Sequence, residues 1–162
     1  FDGITQVAPN TLCSVYAMIG GSGSTLALVV LLLILGKKGS AERSIGKVAI
    51  IPGLFGINEP VTFGLPIVLN PIMFLPFVFV PVINAIIGYF ATSWGWVNHL
   101  VVLNSGVEPI FVNAWVLGAF TISPVILCVV LFIIDLILYY PFVKLQIKQN
   151  SIEAQNEGVV LE

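Results

Sequence analysis

The apolar positions of this chain form long runs rather than a strict alternation or a narrow helical stripe. Leu26 to Leu35 contains no polar residue, Ile50 to Phe90 is apolar except at isolated positions, and Val112 to Tyr140 carries Asp135 as its one charge. Runs of about 20 residues match helices that cross a hydrocarbon core about 30 Å thick. The period-two pattern of a membrane barrel strand is absent, so the pattern predicts an all-α integral membrane protein.

Interruptions within the runs predict the elements. Val15 to Leu35 holds the small-residue cluster Gly20-Gly21-Ser22-Gly23-Ser24-Thr25, followed by a plain lipid-compatible helix. Small residues at membrane depth either let helices pack closely or free backbone groups to line a cavity, and close packing is the simpler reading. Lys37, Lys38, Arg43 and Lys47 then fall in one short loop, whose charge marks the cytoplasmic side.

Beyond that loop come Pro52, Pro60, Pro66, Pro71, Pro76 and Pro81. An interior proline removes a hydrogen bond and costs about 3 kcal/mol, so one regular helix is excluded. The expected arrangement is a re-entrant or broken-helix element over Ile50 to Pro66, then a kinked crossing over Asn70 to Phe90. Tyr89, Trp94 and Trp96 have the composition of an interfacial belt on the outer face, with His99 an interfacial rather than catalytic histidine. Asn104-Ser105-Gly106 and Glu108-Pro109 are turn signals, and Glu108 is a second candidate buried acid. A last crossing over Val112 to Tyr140, bent by Pro124, returns to the cytoplasm at Lys144 and Lys148; it places Asp135 near the inner interface, where Lys144 or a neighbouring chain pairs with it. Residues 1–150 form the membrane part and residues 151–162 a polar cytoplasmic tail.

Composition strengthens the membrane reading. Hydrophobic residues make up 58% and charged residues 9%, with a mean hydropathy of +1.07, against about 25% charge in ordinary soluble domains. Cys13 and Cys128 lie far apart in apolar surroundings and are expected to pack as small hydrophobes. No metal-ligand cluster, phosphate-binding loop, cofactor motif or nucleic-acid-binding patch is present. The opening on Phe1 predicts an internal start, making the chain the C-terminal part of something larger.

Candidate chemistry centres on Glu59, the only carboxylate between Lys47 and Glu108. An ionisable group at membrane depth costs roughly 2.5 to 3.5 kcal/mol on insertion scales, so its default reading is functional. The bland alternative is a carboxylate at the lipid headgroups or in a salt bridge. Asn58 supplies an amide that both donates and accepts, Glu59 a carboxylate that accepts from two hydroxyls, and Pro60 a backbone without a competing N–H. With Phe55 and Phe63 as flanking aromatics, this combination suits a polyol.

The stretch from Gly56-Ile57-Asn58-Glu59-Pro60 to Asn70-Pro71-Ile72-Met73-Phe74-Leu75-Pro76-Phe77 resembles the signature of the membrane (EIIC) component of bacterial sugar phosphotransferase systems, in the lactose/cellobiose/N,N'-diacetylchitobiose family. The Gly20-Gly21-Ser22-Gly23 cluster, Pro109-Ile110-Phe111 and Tyr139-Tyr140-Pro141-Phe142 resemble it too. The resemblance implies a homodimeric, multi-pass component of the bacterial inner membrane, embedded in lipid. It implies that Asn58 and Glu59 bind a disaccharide and that Glu59 acts catalytically, orienting the reacting hydroxyl or taking its proton. It also implies an EIIB protein or domain as the phosphocysteine donor, and a histidine partner for Glu59 that precedes Phe1 and is not His99. The chain is then the membrane subunit of a phosphotransferase complex rather than a self-contained enzyme. The runner-up reading, reached without the resemblance, is an ion-coupled secondary transporter that uses Glu59 as a proton or cation site.

Overall fold

A computed structural model describes residues 13–98, 100 and 108–160, and every regular element among them is helical. A π-helical turn, Cys13–Ala17, leads through irregular backbone into α1 (Thr25–Leu35). There follow α2 (Ala41–Leu54), α3 (Glu59–Gly64), a 3-10 turn over Ile67–Leu69, α4 (Pro71–Ser93), α5 (Ile110–Leu117) and α6 (Ser123–Val160).

Among the described residues, α4 and the Ser123–Glu153 part of α6, at 23 and 31 residues, are long and apolar enough to cross a membrane. Only 28% of the most apolar window of each is buried. The core helix of a water-soluble domain would be mostly covered, so these faces are built for lipid or for further protein. In contrast, α1 has 11 residues, about 17 Å of helix. It is half the depth of a bilayer and is buried along most of its length, packed between α2 and α6.

Two hydrophobic clusters organise the interior. One gathers Tyr16, Ile19, Leu26, Ala91, Ala114, Leu117 and Leu131, and the other Leu28, Leu32, Val61, Ile67, Met73, Val80, Tyr139 and Val143. Along α4 the clusters meet between Val80 and Ala91, and along α6 between Leu131 and Tyr139. The buried polar residues Asn84 and Asp135 fall at these two seams.

Several sequence expectations change here. Arg43 and Lys47 lie on α2, which Ser40 caps by accepting from Arg43 N at 3.3 Å, so the basic segment straddles a loop and a helix. The glycine cluster interrupts the first segment with non-helical backbone instead of packing within one helix. The prolines divide their region as expected at Phe55–Asn58 and again at Leu65–Asn70, but Pro76 and Pro81 both lie inside the continuous α4. Pro124 opens a helix rather than bending one. Gly118 and the left-handed Ala119 and Phe120 separate α5 from α6. The backbone of α6 continues through Pro141 as far as Val160, so most of the tail segment is helical. The readings made for His99, for Asn104-Ser105-Gly106 and for the Cys13 side chain lie outside the described residues, whereas Cys128 is buried as expected.

Candidate functional site

The Asn58-Glu59-Pro60 turn begins with the way α2 stops. Phe55 closes the helix and Gly56 follows at φ +79°, a conformation that costs glycine no Cβ clash. Ile57 N then donates to Pro52 O at 3.0 Å and Gly56 N to Gly53 O at 3.1 Å. This pair of bonds is the Schellman arrangement, which satisfies the last carbonyls of a helix and turns the chain away. Asn58 comes next and α3 starts at Glu59, with Pro60 in its first turn, where the missing N–H has no partner to lose.

Asn58 is held on both sides. Its carbonyl accepts from Val61 N at 3.1 Å, Thr62 N at 2.9 Å and Thr62 Oγ1 at 2.9 Å. Its side chain does not cap α3; Nδ2 donates to the carbonyl of Ser22, 36 residues away, at 2.7 Å. The glycine-rich loop and the Asn58 turn therefore touch directly.

Glu59 is exposed, and among the described residues its carboxylate takes no hydrogen bond or salt bridge. Phe55 and Phe63 are exposed beside it, Phe63 to 81%. The described residues therefore place no polar partner on the Glu59 carboxylate. A cavity of about 450 Å³ lies elsewhere, lined by Glu42, Asn70, Gln146, Gln149 and Asn150 among others. Another of about 570 Å³ is lined by Phe90, Trp94, Trp96 and neighbouring apolar residues of α4 and α6. Neither includes Asn58 or Glu59. Glu108, the second candidate acid, is half-buried just ahead of α5.

Asp135 is where the sequence reading fails most clearly. It is fully buried, and its partner is Asn84, whose Nδ2 lies 2.9 and 3.1 Å from the two carboxylate oxygens. Lys144, one of the two partners expected, instead stands 5.9 Å from the centroid of the Tyr140 ring. The same Asn84 Nδ2 is 3.1 Å from Ser24 Oγ, and Tyr139 donates its hydroxyl to Gly23 O. Asn84, a lone amide inside the apolar run of α4, joins Asp135 as a local signal of this network, and neither names its partner. Groups of His, Cys, Asp and Glu able to hold a metal are absent among the described residues.

Comparison with known proteins bears on the whole arrangement. The sequence model of the family described as "Phosphotransferase system, EIIC" matches residues 4–81. The "PTS system cellobiose-specific EIIC component" of Lactococcus lactis subsp. lactis (strain IL1403) is 38% identical over 138 residues, which is 85% of this chain and 27% of that protein. A "PTS system lactose-specific EIICB component" of Lactococcus lactis subsp. lactis is 40% identical over 143 residues, 88% of this chain and 25% of that one. Among solved structures, the transporter ChbC, the IIC component from the N,N'-diacetylchitobiose-specific phosphotransferase system, matches with a TM-score of 0.82 and 41% identity over 87% of this chain and 33% of its own. The chain thus spans roughly a quarter to a third of the length of these relatives.

Proposed function

Because this chain belongs to the EIIC family of the phosphotransferase system, in its lactose, cellobiose and N,N'-diacetylchitobiose branch, we propose that it is the sugar-contacting part of a disaccharide permease. Asn58 and Glu59 bind the sugar at the break between α2 and α3. The observation that carries this reading is the asymmetry of the turn: Asn58 is fixed to Ser22, while the neighbouring Glu59 carboxylate has no partner among the described residues. An unsatisfied carboxylate beside a fixed turn can accept hydrogen bonds from sugar hydroxyls, each charge-assisted. The exposed rings of Phe55 and Phe63 offer apolar faces beside it.

In the full-length protein, which sits in the bacterial inner membrane as a multi-pass homodimer, the sugar crosses by alternating access and meets a phosphocysteine on EIIB at the cytoplasmic side. The sugar hydroxyl attacks phosphorus, the sulfur–phosphorus bond breaks with the thiolate leaving, and Glu59 takes the hydroxyl proton. Residues 1–150 belong to the permease domain, and the polar end of α6 beyond them extends into the cytoplasm. The ion-coupled reading is not favoured, since the relatives named above are all phosphotransferase components.

The test is titration of cellobiose, lactose and N,N'-diacetylchitobiose into the full-length protein and its Glu59→Gln variant, together with sugar phosphorylation by phosphorylated EIIB. Loss of a charge-assisted hydrogen bond corresponds to about 1.5 to 3 kcal/mol, or roughly ten- to a hundredfold in affinity. Wild-type binding and phosphorylation in the variant would overturn the assignment.

A further inference from the structure

The Asp135–Asn84 pair is an expensive way to join two membrane helices. Both residues are fully buried, and a buried carboxylate is usually outperformed in stability by apolar side chains of similar volume. What apolar side chains cannot supply is a directional hold on backbone that is not helical. The loop between the π-helical turn and α1 is such backbone. Gly20, Gly21 and Gly23 have φ of +87°, +95° and +82°, and Ser24 is left-handed at φ +52° although it has a Cβ. Non-glycine residues keep such conformations only where their surroundings over-determine them, and they gather at functional sites.

The loop has backbone bonds of its own, such as Ser24 N to Gly21 O at 3.1 Å, and its Gly23–Ser24 end is held by side chains of the buried network. Asp135 anchors Asn84, and Asn84 Nδ2 reaches Ser24 Oγ, which donates to Ala17 O at 2.9 Å. Tyr139, one turn beyond Asp135, secures the adjacent Gly23 carbonyl, and Thr25 Oγ1 donates to Gly20 O at 2.7 Å. Immediately beside these two clamped residues stands Ser22, whose carbonyl receives Asn58. Gly21 closes the contact: a Cβ there would lie 2.6 Å from Gly56 O and 2.9 Å from Asn58 Cγ. A continuous path therefore runs from Asp135 through Asn84 and the loop to the Asn58 turn.

We propose that Asp135, Asn84 and Tyr139 are positioning residues for the sugar site, acting through the Gly20–Ser24 loop to set where Asn58 presents Glu59. This rests on the sugar-binding reading above. The network touches no substrate in this assignment; it fixes the backbone carbonyl against which Asn58 is braced.

The experiment is a double-mutant cycle on sugar affinity in the full-length protein, with cellobiose, lactose and N,N'-diacetylchitobiose as probes and the melting temperature recorded for every variant. Tyr139→Phe removes one hydroxyl at nearly constant volume. It is expected to weaken binding about three- to tenfold, the range for one hydrogen bond, in the wild-type background and less than about twofold in an Asn58→Ala background, where the bracing is already lost. The double variant Asn84→Leu with Asp135→Leu leaves no unpaired buried charge, so it is expected to keep or raise the melting temperature while sugar affinity falls about tenfold or more. Equal losses from Tyr139→Phe in both backgrounds, or wild-type affinity in the double leucine variant, would overturn the proposal and leave the site assignment standing. If Asn58→Ala and Glu59→Gln both bind sugar normally, the site assignment fails and this proposal with it.

Discussion

Asn70 and Gln146, 76 residues apart, join the start of α4 to the far half of α6 through a hydrogen bond of 2.5 Å from Asn70 Nδ2 to Gln146 Oε1. The other end of the same Asn70 amide caps α4, with Oδ1 accepting from Ile72 N at 3.0 Å and Met73 N at 3.4 Å. The chain of bonds continues: Gln146 Nε2 donates to Asn150 Oδ1 at 2.9 Å, and Asn150 Nδ2 to Glu42 Oε1 at 2.7 Å. One end of the helix bundle is therefore closed by side-chain amides and a carboxylate linking α2, α4 and α6.

Glu42 makes this end sensitive to acid. Burial raises its pKa, but the hydrogen bonds from Asn150, from its own backbone and from Ser40 outweigh that effect and leave it below the ordinary value of 4.5. A carboxyl depressed in the folded state stabilises the fold fully above its unfolded value, and the contribution disappears as pH falls through the lower folded value. Melting temperatures of the full-length protein measured between about pH 7 and about pH 3 should fall more steeply below about pH 4.5 for the wild type than for Glu42→Gln. Parallel curves would show that the Asn150 bond contributes nothing.

Gly21→Ala should disturb the proposed sugar site by crowding the Asn58 turn from the loop side. The new Cβ meets Gly56 O at 2.6 Å in a backbone conformation of φ +95°, and the left-handed penalty alone is about 1–2 kcal/mol. Loop or turn must shift, so sugar affinity in the full-length protein is expected to drop about tenfold, an effect of about 1.4 kcal/mol. Gly39→Ala provides the control. Its φ is also positive, at +87°, but nothing lies within 4 Å of its added Cβ, so it should cost some stability and leave affinity unchanged.

Topology follows from the same contacts. Lys38 precedes the α2 end that carries Glu42, and Glu42 meets Asn150 beside Asn70 and Gln146, so all of these lie at one end of α4. Ser93 closes the other end of that 23-residue helix, about 34 Å away, near the Asn98 N to Ser123 Oγ bond of 3.3 Å. Single cysteines replacing Lys38 and Lys148 should react with an impermeant reagent from the cytoplasmic side only, and one replacing Ser93 from the outside only. Labelling of Ser93 and Lys38 from the same side would overturn this orientation.

The parts of the site legible in the sequence were those governed by single residues and their near neighbours. Gly56 and Pro60 close together disfavour a continued helix, so a break near Asn58 and Glu59 was readable from backbone freedom and a missing donor, although Pro52 itself lies within α2. The two long apolar runs, likewise, are set by the thickness of a bilayer. Pro124 shows the limit of local reading. A proline is equally at home bending a helix or opening one, and the left-handed Ala119 and Phe120 that decide the matter carry no sequence mark.

Where the polar residues find their partners was settled by packing between distant segments. The glycine cluster was compatible with close helix packing or with freed backbone, and the choice was made by groups distant in the chain: Asn58 at 36 residues from Ser22, Asn84 at 60 from Ser24, and Tyr139 at 116 from Gly23. Asp135 was expected to pair with Lys144 or a neighbouring chain, and pairs with Asn84 on another helix. The sequence by itself determined the membrane character and the position of the break, because hydropathy and backbone restriction act locally. It left the hydrogen-bond network open, because a buried donor or acceptor must be satisfied by whatever the fold brings within about 3 Å, and that proximity is a property of the packed helices alone.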